Sequence, residues 1–496
     1  MTDPTTTLSS GTLTSVEQRG IEPVPHDERN GSPGALFWVW FAANISILGL
    51  PLGATLVAFQ GLTIWQALLV AVIGAAGSFA VVGVVSIAGR RGGAPGLTLS
   101  RAVFGVRGNI GPTAVSLLSR LGWETVNTTT AAFVLLSLFT ILFGTDGGAK
   151  ANPLLTIVAI LVFVAATVLI SGLGHAFIVA VQKWATWVFG ALNVFVAVFL
   201  VLRVDWHVVG SQPAGPVAAM AIGIGTIAAG TGIGWATAGA DIARYTRTSV
   251  KAGALVSASA AGAGIPLVVL VGLGALVSAG DPTLAQAGDP VAAIRDLLPG
   301  WMAIPYLIAA FGGLLLSNHL SVYSASLTTL TLGVKVPRVW AVTVDVVVTT
   351  LGAMYFMLVA DGFYAPFITF ISVLAVPITA WLGVFIADMV RRRWYDPVAL
   401  LDLRPGGRYW YRGGVAWGAL AAWLVAIVIG FLFTSVQVGD ADPVFVGAFS
   451  KTWIGANGLG WIVTFVVGAG LYLLTGGARG EVDSPEPVAP AVEVRA

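Results

Sequence analysis

Cysteine is missing from all 496 residues, which excludes disulfides, thiolate metal sites and cysteine nucleophiles. Charge is scarce as well: Asp, Glu, Lys and Arg make up 10% of the chain, against about 25% in a soluble domain. The four histidines do not cluster, and there is no HExxH pair and no serine elbow. The chain therefore lacks the constellations from which enzymes are built. Repeated filter loops and rings of like charge are absent too, which argues against a channel. A net charge of +2 gives no reason to expect a nucleic-acid partner, and neither a metal nor a cofactor is expected.

What the chain has in abundance is apolar surface. It is 57% hydrophobic with a mean hydropathy of +0.89, the composition of an all-α integral membrane protein embedded in a lipid bilayer. A helical span needs about 20 apolar residues. About twelve stretches qualify, near 35–59, 63–88, 109–143, 152–172, 176–202, 216–240, 252–279, 301–331, 338–360, 363–390, 413–436 and 450–476. The polar leader before the first of them has no small-residue cleavage site and does not read as a secretory signal.

With the N-terminus inside, sixteen lysines and arginines between Arg90 and Arg412 fall in inner loops; four, Lys150, Arg203, Arg295 and Lys451, fall outside. Acidic residues such as Asp146, Asp281, Asp289, Asp361 and Asp440 fall outside. The positive-inside rule then places both termini in the cytoplasm of a multi-pass plasma-membrane protein.

Two spans read as interrupted. The sixth carries Gly230-Thr231-Gly232-Ile233-Gly234-Trp235 at its centre, and each glycine weakens a helix by roughly 1 kcal/mol relative to alanine. In the first, Pro51 between Gly49 and Gly53 removes a backbone donor and predicts a break there. Broken helices in corresponding places of two halves mark the binding site of an inverted-repeat secondary transporter. The chain divides accordingly into a tail at 1–34, spans one to five at 35–210, and spans six to ten at 211–390. A basic loop with spans eleven and twelve follows at 391–476, then a tail at 477–496.

Polar groups inside spans are costly and point to function. Arg120 and Glu124 in the third span are four apart and can pair. Trp123 and Asn127 share the neighbouring face, an aromatic plate beside an amide, as a flat heteroaromatic solute requires. In the eighth span Ser317, Ser321 and Ser324 form one hydrophilic stripe, with Asn318 and His319 beside it. Asp345 in the ninth span is a second buried-carboxylate candidate, placed near enough to the inner end to be wet.

Five passages in order resemble the purine/cytosine permease family of nucleobase–cation symporters. They are Val16-Glu17-x-Arg19-Gly20-Ile21-Glu22-Pro23 with Glu28-Arg29, Trp40-x-x-Ala43-Asn44, Leu99-Ser100-Arg101-x-x-Phe104-Gly105, Gly122-Trp123-x-x-Val126-Asn127, and Gly234-Trp235 through Ala240-Asp241 to Arg244-Tyr245. The resemblance implies a LeuT-type fold, two inverted five-helix repeats plus two helices, importing a nucleobase by cation symport through alternating access. It makes Trp123 and Trp235 a stacking pair, Asn127 a polar contact, Gly234 backbone close to the ligand edge, and Asn44 part of the first broken helix.

The eighth span departs from the family. Fungal-type members have Pro-Asn before Tyr-Ser, whereas Leu320-Ser321 precede Tyr323-Ser324 here. The base-reading amide is then missing or supplied by Asn318 one turn earlier, with Ser321 in its place and Glu124 accepting ring N–H protons. Sodium-coupled relatives carry two hydroxyls where this chain has Leu314-Leu315-Leu316. That points to proton coupling through Glu124 and Asp345, while the Ser317 and Ser321 hydroxyls leave sodium open. The cargo also stays open between cytosine or purines and hydantoin, allantoin, a nucleoside or a pyrimidine-like vitamin. The oligomeric state is left undetermined.

Overall fold

The computed structural model describes residues 19–145, 148–171, 174–280, 289–333, 338–360, 362, 364–437 and 442–475. The ends 1–18 and 476–496, and Asp146, Asp281, Asp361 and Asp440 of the outer loops, lie outside the described residues. Among the described residues eight helices are long and apolar enough to cross a bilayer, and a bent pair, Pro33–Asn44 with Gly49–Ala58, makes a ninth. Shorter apolar helices at Val342–Leu358, Trp417–Phe433 and Gly460–Leu474 complete the twelve.

The spans pack as two superposable sets. The second (Ile64–Gly92) lies against the seventh (Ala252–Gly280), and the third (Ile110–Phe143) against the eighth (Gly300–Thr331). Exchanging spans one to five for six to ten maps the remaining contacts onto one another. First-on-seventh becomes sixth-on-second, fourth-on-third becomes ninth-on-eighth, and fifth-on-first becomes tenth-on-sixth. A pseudo-two-fold axis in the membrane plane produces that pattern. Spans eleven and twelve stand outside it and pack on the tenth.

Both expected interruptions exist, one of them displaced. The first span bends by 64° between Asn44 and Gly49, one turn before the position expected from Pro51. Pro51 sits in the first turn of the second half-helix, where amides have no intrahelical acceptor and proline costs little. The sixth span unwinds at Ala229–Ile233, with Thr231 at φ −131°, ψ −107°, then resumes through a tight turn at Ala236–Ala238 and a short helix at Gly239–Ala243. The second span receives the freed backbone: the Ser78 hydroxyl accepts from the Gly232 amide at 3.1 Å and lies 3.3 Å from the Thr231 hydroxyl. A Cβ on Gly232 would stand 2.4 Å from the Ser78 carbonyl carbon, so this crossing requires glycine.

Residues 19–32 have no core of their own, yet they are tied to the arginine-bearing end of the bundle. The Val24 amide donates to Gly93 O at 2.8 Å and the Gly31 amide to Tyr245 O at 2.8 Å. Arg29 donates to Val24 O at 2.8 Å and Arg90 O at 3.0 Å. Burial of the Arg29 guanidinium between these carbonyls lowers its pKa from the usual value.

Candidate functional site

The unwound part of the sixth span meets the middle of the third. A Cβ on Gly234 would stand 2.9 Å from Trp123 Nε1, so the indole edge lies directly on that glycine. Trp123 is half-buried, and Phe367 and Phe370 of the tenth span (Pro366–Arg391) meet it edge-on at 5.5 and 6.2 Å. Trp235, the next residue, is buried and packs edge-on against Trp40 of the first span at 5.6 Å, 72°. Two tryptophans from separate spans thus flank the break, Trp235 buried and Trp123 half-buried.

Arg120 joins the two sides. Its Nη2 donates to the Gly234 carbonyl, and its guanidinium lies 4.4 Å from the Trp235 ring centroid. The expected Arg120–Glu124 pair is electrostatic only: the two charges act on one another, and no hydrogen bond joins them. Spacing of four makes that contact reachable, but the arginine is fully buried and turns instead to the carbonyl freed by the broken helix. A desolvated guanidinium over an indole contributes about 2 kcal/mol, and a charge-assisted hydrogen bond about 1.5–3 kcal/mol.

Around this centre lies a shell of polar atoms without protein partners. Both carboxylate oxygens of Glu124 are buried and unpaired, as are Asn127 Oδ1, Asn318 Oδ1, Ser321 Oγ and Asp345 Oδ2. The charge of Asp345 is close enough to act on Glu124, and Ser321 and Arg120 are neighbours of the same carboxyl. Asp345 is 1% exposed, which corrects the expectation that it is wet: the third span covers it. Each polar group left dry costs about 1–3 kcal/mol, more if charged, so this shell calls for a solute, a proton or water.

The remaining candidates divide. Asn318 commits its amide to Thr167 Oγ1 of the fourth span at 3.1 Å, leaving its carbonyl oxygen available. Asn44 donates to Trp40 O at 2.9 Å, closing the last turn before the first break. Ser317 is buried. The stripe is not uniform, because Ser324 donates to Asp241 Oδ2 at 2.7 Å, and Asp241 Oδ1 accepts from the Gly96 amide at 2.9 Å. Arg244 donates to Gly20 O at 2.7 Å and Tyr323 Oη at 2.9 Å. Asp241 and Arg244 thus tie the sixth span to the eighth span, to Gly96 and to the N-terminal segment.

The tenth-span aromatics were missed from sequence. Phe367 and Phe370 sit in an apolar run whose register against the third span no local pattern reveals. Also missed was a cavity of about 550 Å³ at the opposite end from Asp241, between the first, sixth, tenth, eleventh and twelfth spans. It ends beside a small void lined by Trp123, Gly234 and Phe370; Ala229 and Ala375 line both.

Comparisons with known proteins agree with this architecture. The family described as permease for cytosine/purines, uracil, thiamine, allantoin matches residues 23–463. A putative purine-cytosine permease of Bacillus subtilis is 27% identical, covering 92% of this chain and 95% of the relative. A hydantoin permease of Microbacterium maritypicum is 26% identical, with 83% of each chain covered. Among solved structures, that of Mhp1, a nucleobase-cation-symport-1 family transporter in a closed conformation with bromovinylhydantoin bound, aligns with a TM-score of 0.73. It covers 93% of this chain and 96% of that one. At 21% identity the likeness speaks to the fold.

Proposed function

The chain belongs to the family of permeases for cytosine/purines, uracil, thiamine and allantoin, and on that premise we propose that it imports a nucleobase, cytosine or a purine, by proton symport. The observation that carries this reading is an unwound sixth span flanked by two tryptophans, Trp123 against Gly234 and Trp235 next along the chain, beside buried oxygens of Asn127 and Glu124 that lack hydrogen bonds. A flat base offers faces to indoles and ring N–H groups to those acceptors. Gly234 keeps backbone near the solute edge, Asn318 Oδ1 and Ser321 Oγ supply further polar contacts, and Asn44 ends the half-helix at the first break.

Glu124 and Asp345 are the proton carriers in this reading, two buried carboxyls whose charges act on one another. The first-span break supports it over sodium, which needs several oxygen ligands in the manner of other hard cations. There the eighth span presents Gly313, whose Cβ would stand 2.6 Å from Ile45 O, and Leu316, clustered with Ala42 and Ile45. Ser317 is the nearest hydroxyl along that helix. The protein works in the plasma membrane, with both termini cytoplasmic and the large cavity facing out.

The test is labelled cytosine uptake by proteoliposomes under an imposed pH or sodium gradient, competed by purines, hydantoin, allantoin, nucleosides and thiamine. Cytosine or purine uptake driven by inward proton gradients is expected, with little competition from the other rings. Glu124→Gln should abolish pH-driven accumulation while leaving base binding measurable. Uptake that follows sodium and ignores pH contradicts the coupling; uptake of another ring class contradicts the cargo.

A further inference from the structure

We propose that the 550 Å³ cavity is a second solute-binding site, built by the two spans outside the repeats, where the base is held before it reaches Trp123 and Trp235. This rests on the reading of the chain as a nucleobase permease and adds a site to it.

The volume falls within the roughly 300–1,000 Å³ of small-molecule pockets. No charged side chain lines it, which suits a neutral ring. Gln60, Thr226, Ser372, Thr434 and Ser450 supply amide and hydroxyl groups from five segments of the chain, and Trp461 adds an aromatic ring. The Trp461 ring lines the cavity, its Nε1 edge turned to the sixth span 3.1 Å from where a Gly225 Cβ would be. A flat base can stack on an aromatic ring, and its exocyclic oxygen and ring N–H groups match the hydroxyls and amides of the same cavity.

The cavity's other wall is the beginning of the mechanism. Ala229 opens the unwound turn of the sixth span, and with Ala375 it lines both this cavity and the void beside Trp123. That void, of about 10 Å³, must widen to take a base. Straightening or tilting of the sixth span at Thr231 moves Ala229 and joins the two. Solute in the outer site would lie against the segment whose movement admits it, and spans eleven and twelve acquire a role in binding.

The absence of native cysteine makes the test direct. Ser372→Cys gives purified protein in detergent a single thiol in this cavity, whose alkylation rate is measured with and without cytosine or hypoxanthine. Saturating base should slow alkylation by about tenfold at ten times its dissociation constant, and the same protection should persist in a Trp123→Ala background. Trp461→Ala should remove the protection and raise the KM of uptake, while Trp461→Phe restores most of both. Protection that disappears with Trp123 makes the cavity a passage and overturns the proposal. A thiol unreactive without base, or protection indifferent to Trp461→Ala, overturns it as well. If Trp123→Ala does not fold, the Trp461 pair decides alone. Absence of cytosine and hypoxanthine uptake by the wild-type protein refutes the nucleobase reading itself; uptake without protection refutes the second site alone.

Discussion

Gly234→Ala is the perturbation that most sharply interrogates the third–sixth junction. The residue has φ −56° and ψ −31°, so alanine meets no backbone strain and by propensity gains about 1 kcal/mol. Everything unfavourable comes from one contact: the new methyl would stand 2.9 Å from Trp123 Nε1 and 3.4 Å from Cε2. The indole must retreat by about 0.5 Å to reach ordinary contact at 3.4 Å. Overpacking of this kind costs about 1–3 kcal/mol, and at 1.4 kcal/mol per tenfold the cytosine Kd should rise about 5- to 150-fold. The melting temperature should hold or fall slightly, because the propensity gain offsets only about 1 kcal/mol of that cost.

Trp123→Ala withdraws the ring that the methyl strikes. In the double variant Gly234→Ala should cost little beyond Trp123→Ala alone, a coupling of about 1 kcal/mol or more in a binding cycle read by calorimetry. Additivity within about 0.5 kcal/mol would refute the contact, and with it the placement of Trp123 on the broken span.

Three further outcomes are expected. Deleting residues 1–31 removes the Gly20 carbonyl that accepts from Arg244 and the Arg29 tie to Arg90. Alkylation of a Thr328→Cys thiol at that end should then accelerate; an unchanged rate would mean the segment does not restrain the closed end. Asp241→Ala breaks the links to Ser324 and Gly96, two charge-assisted bonds of about 1.5–3 kcal/mol each, and should lower the melting temperature more than Ser324→Ala does. Asp289 caps Pro290–Asp296 through the Val291 and Ala292 amides, while burial raises its pKa above the usual carboxylate range. A raised carboxyl stabilises the fold while protonated and loses that contribution as pH climbs from the unfolded to the folded pKa. Asp289→Asn keeps the cap and should therefore gain in melting temperature relative to wild type as pH rises through that window; a gap independent of pH contradicts this.

The repeat architecture was legible because each signal was local. Apolar length gives spans, and the glycines at 230, 232 and 234 give the sixth-span break, since helix propensity needs no partner to act. The first-span break was legible in kind and misplaced, because Pro51 breaks a helix interior and fits a helix start, and its position along the turn decides which. What lay beyond the sequence was competition between partners. Arg120 has Glu124 one turn away, yet the Gly234 carbonyl, 114 residues distant in the chain, takes it. Asp345 reads as near an end, and the third span covers it. Trp461 carries no mark in its own helix; it matters because two spans outside the repeat fold back on the tenth.

Equilibrium binding of labelled cytosine and hypoxanthine to Trp123→Ala and Trp235→Ala, each beside its Phe counterpart, bears most directly on the paired indoles. Saturable binding that either Ala variant reduces at least tenfold and the Phe variants largely preserve is the predicted result. A base that binds both Ala variants with the wild-type Kd would contradict the account.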